Sequence, residues 1–122
     1  YVDANGLHEL NNSRGHEAGD HLLCAVADEL CNQFGEAHTY RIGGDEFVVF
    51  TLDLPEEEIS QRCKAALQSL KKRNYSISFG IAWQALPVTE TELASLIKSA
   101  EKRMYAAKQI YYSDPTHDRR TR

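Results

Sequence analysis

Apolar residues recur along this chain with two spacings, one typical of helices and the other of strands. The first helical stripe combines steps of three and four residues: Leu23, Val26, Ala27, Leu30 and Phe34. It predicts a helix over residues 18–34. We expect this helix to end at Gly35, because glycine readily adopts the backbone conformations found at helix ends.

Two later segments carry the same helical spacing together with start signals. The stripe of the first is Ile59, Cys63, Ala66, Leu67 and Leu70. Pro55 and the acids after it open this helix, because proline suits the first turn and acids favour the positive end of the helix dipole. Thr89 and Glu92 form a predicted capping box at the start of the last helix. The stripe of that helix is Leu93, Leu96, Ile97, Ala100, Met104 and Ala107.

Four β-prone runs lie outside these helices: residues 2–4, 39–42, 46–51 and 75–83. Asn5-Gly6 breaks the first run and precedes a short helical turn over residues 7–12. Gly43-Gly44 separates the second run from the third and predicts a hairpin, because both glycines tolerate positive φ. The order β-α-β-β-α-β-α predicts an α+β fold in which helices cover a mostly antiparallel sheet.

Composition and charge narrow the class of protein. The 122 residues are 42% hydrophobic and 26% charged, which suffices for one domain with a buried core. The apolar runs are too short to span a membrane. A net charge of −4 argues against a general nucleic-acid binder, which would be basic.

The three cysteines, Cys24, Cys31 and Cys63, are odd in number and lack CxxC spacing. A disulfide framework or a zinc site is therefore not expected, and a reducing cytosol fits them best. Because each occupies an apolar position in a helical pattern, we expect all three to fill the core.

Carboxylates at predicted strand ends are the first candidate for chemistry. Asp45 and Glu46 follow a glycine pair whose bare backbone leaves a concave surface for a flat ligand. Asp3 ends another strand. If these strands are neighbours, Asp3 and Asp45 are two hard oxygen donors that suit a Mg²⁺ ion bound to a triphosphate. Taken singly, each feature also fits an ordinary tight turn with solvated acids.

The loop after Asp3 is a second candidate. Backbone N–H groups around Gly6, with a helix start beyond them, can hold phosphate oxygens. Further on, the Asn11 amide and the Asp20 carboxylate together match a guanine edge, with the acid accepting hydrogen bonds from the base. The alternative for Asp20 is to cap the following helix.

Together these stretches resemble the GGDEF domain of diguanylate cyclases. The likeness runs from Asp3 to about Lys108, with GHxxGD, RxGGDEF, SxG and MYxAK in the family's order and spacing. It implies a sheet wrapped by helices, similar to the palm of nucleotidyl cyclases and polymerases. It also implies a homodimer that condenses two GTP into cyclic di-GMP and releases two pyrophosphates.

The resemblance implies roles for individual residues. Asp3, the Ala4 carbonyl and Asp45 would bind Mg²⁺ or Mn²⁺, and Asp45 with Glu46 would be catalytic. The residues expected to bind GTP are Asn11 and Asp20 at the guanine, Gly43 and Gly44 under the nucleotide, and Gly6, Leu7 and Lys108 at the phosphates.

The chain departs from the family pattern at several points. His8 replaces a lysine, Tyr112 replaces an arginine that often binds phosphate, and no Arg-x-x-Asp precedes the GGDEF run. The resemblance also implies that the family's first helix and most of its first strand are missing from this chain. The alternative to an active cyclase is therefore a weak or inactive GGDEF module that binds GTP or a partner as a regulatory part.

We expect a GGDEF catalytic domain over residues 1–112 and a loose tail over residues 113–122, within a longer parent protein. That parent would carry a sensory or membrane-bound domain. The catalytic domain would be cytoplasmic, either free or as the cytoplasmic part of a membrane-anchored sensor. Its partners would be GTP and a second copy of the chain, with no nucleic acid.

Overall fold

The computed structural model describes residues 1–117. Its strands and helices are β1 (Val2–Ala4), α1 (Leu7–Arg14), α2 (His16–Phe34), β2 (Thr39–Arg41), β3 (Glu46–Val49), α3 (Glu56–Lys71), β4 (Ile77–Phe79) and α4 (Glu90–Ser113). Short 3₁₀ turns cover Glu36–His38 and Pro115–His117. Among these residues, no helix is long and apolar enough to cross a membrane.

The sheet has the order β2-β3-β1-β4, and each neighbouring pair of strands is antiparallel. β1 lies inside the sheet, where Val2 is opposite Phe47 on one side and Phe79 on the other. The residues buried most completely in the core include Leu22, Val26, Leu30, Ala66 and Leu70. The predicted α+β fold with a mostly antiparallel sheet is therefore confirmed.

The helix signals were accurate. Thr89 Oγ1 accepts a hydrogen bond from the Glu92 amide at 3.1 Å, and the Thr89 amide donates to Glu92 Oε1 at 3.3 Å, so the capping box is confirmed. Gly35 ends α2 with a φ of 95°. The turn predicted over residues 7–12 is a complete helix, α1, that continues to Arg14.

The fourth strand is shorter than predicted: β4 covers Ile77–Phe79 rather than residues 75–83. The Gly80 amide donates to the Tyr1 carbonyl at 2.9 Å, and the extended run ends there. Gly80 also contacts α4 closely: a Cβ at this position would be 2.1 Å from the Ala100 carbonyl and 2.3 Å from the Met104 nitrogen. Only glycine fits between this strand end and α4.

The prediction that all three cysteines fill the core is wrong. Cys63 is buried, Cys31 is half-buried and Cys24 is exposed. The buried face of α2 includes Leu22, Leu23 and Val26, and Cys24 lies one further helical step of 100° beyond Leu23, on the solvent side.

Of the tail expected over residues 113–122, the structure describes only the first part. α4 continues to Ser113, and the His117 ring stacks on Tyr111 with centroids 4.0 Å apart. Residues 118–122 lie outside the described residues, so the expectation of a loose tail is untested for them.

Candidate nucleotide and metal site

Three carboxylates meet where β1 and β3 pair. Asp3 is opposite Glu46 in the strand register, and the Ala4 amide donates to the Asp45 carbonyl at 2.8 Å. One oxygen from each of Asp3, Asp45 and Glu46 lies within 4.8 Å of the others. Sheet pairing therefore brings together acids that are about 40 residues apart in the chain.

Asp3 is buried in an unfavourable electrostatic environment. Its side chain lies in the sheet interior with 1% of the residue exposed. Burial, together with the neighbouring Asp45 carboxylate, raises the pKa of Asp3 to about 6, although the nearby Lys108 ammonium opposes the shift. Lys108 Nζ contacts Asp3 Oδ2 at 3.2 Å, whereas Asp3 Oδ1 has no hydrogen-bond partner among the described residues. A buried carboxylate oxygen without a partner is costly unless a ligand supplies one.

These donors fit a hard divalent cation. The cluster contains only carboxylate oxygens, the ligands preferred by Mg²⁺ and Mn²⁺. A cation would also supply the partner that Asp3 Oδ1 lacks. Ala4, whose carbonyl is the further predicted ligand, is the buried last residue of β1 beside this cluster. Asp3, Asp45 and Glu46 thus form a candidate metal site.

The hairpin tip before Asp45 is held by a side chain whose role was not predicted. Arg41 Nε donates to the Gly43 carbonyl at 3.1 Å, and Arg41 Nη2 donates to the Gly44 carbonyl at 2.7 Å. The hairpin is confirmed, but neither glycine adopts the positive φ that was the reason for predicting it. An arginine two residues before the glycine pair was the available signal.

The surface of this tip is open. Gly43 and Gly44 are both exposed, and a Cβ at Gly44 would have no heavy atom within 4 Å. A flat ligand can therefore approach the backbone here, as the pair was predicted to allow.

The loop after β1 contacts α4. Gly6 precedes α1 with a left-handed φ of 78°, and its amide donates to the Tyr112 hydroxyl at 2.9 Å. Lys108, one helical turn before Tyr112, forms the ion pair with Asp3 described above. Two of the groups expected to bind phosphate, the Gly6 amide and Lys108, are thus neighbours in space. Leu7, the third, is the first residue of α1.

The proposed guanine-binding residues are on two adjacent helices. A Cβ at the buried Gly19 would overlap Asn11 Oδ1 at 1.8 Å, so the Asn11 side chain lies against α2 next to Asp20. Asn11 Oδ1 is buried without a hydrogen-bond partner among the described residues, and Asp20 is exposed. The alternative interpretation, that Asp20 caps the following helix, is wrong. α2 begins at His16, so the N-cap residue is Gly15.

Comparison with known proteins identifies the family of the chain. The family described as "Diguanylate cyclase, GGDEF domain" matches residues 1–112. Over 119 residues the chain is 29% identical to the diguanylate cyclase DgcN of Escherichia coli, a match that covers 88% of this chain and 28% of that protein. It is 33% identical to the cyclic di-GMP phosphodiesterase PdeB of Shewanella oneidensis, over 88% of this chain and 14% of that protein.

A solved structure shares the fold. It is a microbial GGDEF domain described for its interaction with cyclic di-GMP, and it superposes with a TM-score of 0.75 at 26% identity. The match covers 88% of this chain and 69% of that one. The chain spans less than a third of the two curated relatives named above. The family match over nearly the whole chain decides its membership: this protein belongs to the GGDEF domain family of diguanylate cyclases.

Proposed function

We propose that this domain condenses two GTP molecules into cyclic di-GMP and releases two pyrophosphates. The observation that carries the proposal is the cluster of Asp3, Asp45 and Glu46, in which Asp3 Oδ1 is buried without a partner. Such a cluster is costly to the fold and useful to a metal–triphosphate complex.

The nucleotide would lie between helices α1 and α2 and the hairpin formed by β2 and β3. The Asp20 carboxylate would accept hydrogen bonds from guanine, and Asn11 Oδ1 would gain the partner that it lacks. Gly43 and Gly44 would lie beneath the nucleotide, since their backbone is open to solvent. Gly6, Leu7 and Lys108 would bind the phosphates.

The metal ligands would be Asp3, the Ala4 carbonyl and Asp45. A bound Mg²⁺ or Mn²⁺ would neutralise charge on the triphosphate as the bond to pyrophosphate breaks. Asp45 would help remove the proton of the attacking 3′-hydroxyl, and Glu46 lies beside it. The 3′-oxygen then bonds to the α-phosphorus of the other nucleotide, and pyrophosphate leaves.

Catalysis would require two copies of the domain, because each copy binds one GTP while the product contains two. Holding the two nucleotides in facing sites supplies much of the rate, since a reaction between two bound molecules becomes effectively intramolecular.

The test is product formation by the chain at high concentration with GTP and Mg²⁺, resolved by mass. We expect cyclic di-GMP and pyrophosphate from the wild-type protein and from Asp28→Asn, which changes an exposed acid on α2. Asp45→Asn should retain the fold and lose the product. Equal product from Asp45→Asn would overturn the proposal.

A second candidate function is a GTP-binding regulatory module without turnover. Two contacts favour a module without turnover: the Gly6 amide donates to Tyr112, and Lys108 is paired with Asp3. Two of the three groups predicted to bind phosphate are therefore engaged within the chain, which would weaken their hold on the triphosphate. GTP binding by calorimetry without detectable product, under conditions in which the chain forms dimers, would favour this alternative.

A further inference from the structure

The last turns of α4 make one contact with β1 and one with the loop after it. Lys108 and Tyr112 are four residues apart, so they lie on the same side of the helix. Lys108 Nζ contacts Asp3 Oδ2 at 3.2 Å, and Tyr112 Oη accepts the Gly6 N–H at 2.9 Å. The second contact joins residues that are 106 positions apart in the chain.

The Gly6 N–H is one of the donors that a phosphate would use. Gly6 is the residue before α1, and no side chain of its own caps this helix start. Backbone amides at such a start attract anions, and the proposed function assigns this amide to the nucleotide phosphates. One N–H makes one good hydrogen bond, so the Tyr112 oxygen occupies the position that a phosphate oxygen would take.

We propose that Tyr112 competes with the nucleotide phosphates for the Gly6 amide and thereby lowers the affinity of the site for triphosphates. The ligand class rests on the proposed function. A phosphate displaces the hydroxyl because a charge-assisted hydrogen bond is roughly twice as strong as a neutral one. Binding nevertheless loses the Tyr112–Gly6 bond, and this loss reduces the observed affinity.

The direct test is Tyr112→Phe, which removes the hydroxyl and keeps the ring. We expect the variant to bind a non-hydrolysable GTP analogue with Mg²⁺ about fivefold more tightly than wild type, the value of one neutral hydrogen bond. Guanosine, which has no phosphate, should bind both proteins alike. Tyr105→Phe, an exposed tyrosine on the same helix, is the matched control and should leave both affinities unchanged.

Two results would overturn this inference. Unchanged or weaker binding of the GTP analogue by Tyr112→Phe would show that the hydroxyl does not compete. Unchanged protection of the Gly6 amide from hydrogen exchange in the variant would show that the contact does not hold that amide.

A different outcome separates this inference from the proposed function. If neither protein binds the GTP analogue, the proposed function fails, and inorganic triphosphate with Mg²⁺ then serves as the probe. Tighter binding of that probe by Tyr112→Phe, with faster exchange of the Gly6 amide, would support the competition. No difference between the two proteins, including no binding by either, would overturn it.

Discussion

The two ends of β1 differ completely in chemistry, although a strand of three residues joins them. At the carboxyl end, Asp3 meets Asp45 and Glu46. At the amino end, Tyr1 borders an apolar groove of about 800 Å³ whose lining includes Phe50 and Trp83. The carboxyl end holds a buried carboxylate oxygen, Asp3 Oδ1, that has no hydrogen-bond partner among the described residues. The amino end borders apolar surface that is open to solvent.

We interpret the carboxyl end of β1 as contributing to function and the amino end as contributing to stability. Asp3 Oδ1 is buried without a partner among the described residues, which costs free energy in the metal-free fold, and the proposed metal would offset that cost. Beside the groove at the amino end, Gly80 packs closely against α4, and we expect this contact to affect stability. Tyr1 joins the two: its amine donates to the Gly80 carbonyl at 3.0 Å, and its hydroxyl donates to Glu46 Oε2 at 2.5 Å.

The largest effect is expected for Asp3→Asn at the carboxyl end. Product formation should fall by about 10²–10⁴-fold, because a metal ligand and its charge are lost. Stability without metal should rise at pH 7 by on the order of 1 kcal/mol, since the raised pKa of Asp3 means that folding disfavours its charged form.

The pH dependence gives the sign of this second effect. In the wild-type protein, the contribution of Asp3 to the free energy of unfolding is fully present below its usual pKa of 3.8. It is lost as the pH rises through about 6. Urea unfolding in a chelator at pH 4 and pH 7 therefore should show the gap between variant and wild type widening at pH 7. A variant less stable than wild type at pH 7 would contradict our interpretation of the buried charge.

The second-largest effect is expected at the amino end of β1. Gly80→Ala should destabilise the fold by about 3 kcal/mol, because the new Cβ would overlap the backbone of α4 at Ala100 and Met104. The melting temperature should fall, while Mg²⁺ affinity of the folded fraction stays unchanged. Weaker Mg²⁺ binding with normal stability would mean that the two ends of β1 are not separable. Ala82→Gly, two residues further along the chain, is the control for altered backbone freedom.

A smaller effect is expected for base selection. Asp20→Ala should reduce the preference for GTP over ATP, which we expect to be roughly 2–4 kcal/mol if two paired contacts distinguish the bases. Adenine presents an acceptor where guanine presents a ring N–H, so it would face the Asp20 carboxylate unfavourably. Calorimetry with both nucleotides checks this, and equal binding of the two by wild-type protein would reject guanine recognition.

The smallest effect is expected at the hairpin tip. Arg41→Met removes both hydrogen bonds to the glycine carbonyls and should lower the turnover number about tenfold, because Asp45 is then held less firmly. Arg41→Lys should recover part of the loss by restoring one donor. A change in KM alone, with the turnover number intact, would argue that Arg41 binds substrate rather than positions Asp45.

The carboxyl end of β1 was largely predictable from sequence. Asp3 lies in the first β-prone run and Asp45 directly precedes the third, and antiparallel pairing of those two runs was sufficient to bring the acids together. The helices were also predictable, because their periodicity and caps are local signals.

The remaining features depend on how distant elements pack. The Tyr112–Gly6 bond requires α4 to lie against the loop after β1, which no local pattern indicates. Arg41 was visible in the sequence, but its contacts depend on the tip conformation, which differs from the predicted one. The exposure of Cys24 was also not predictable from local periodicity, because a single helical step separates it from the buried Leu23.

The most direct test of the carboxyl-end account is a titration of the protein with Mn²⁺ in the presence of GTP. Loss of the electron paramagnetic resonance signal of free Mn²⁺ beyond the loss caused by GTP alone reports the fraction bound to the protein. We expect saturable binding by wild type and by the exposed-acid control Asp28→Asn, and its loss in Asp45→Asn. Undiminished Mn²⁺ binding by Asp45→Asn would contradict the assignment of Asp3, Asp45 and Glu46 as the metal site.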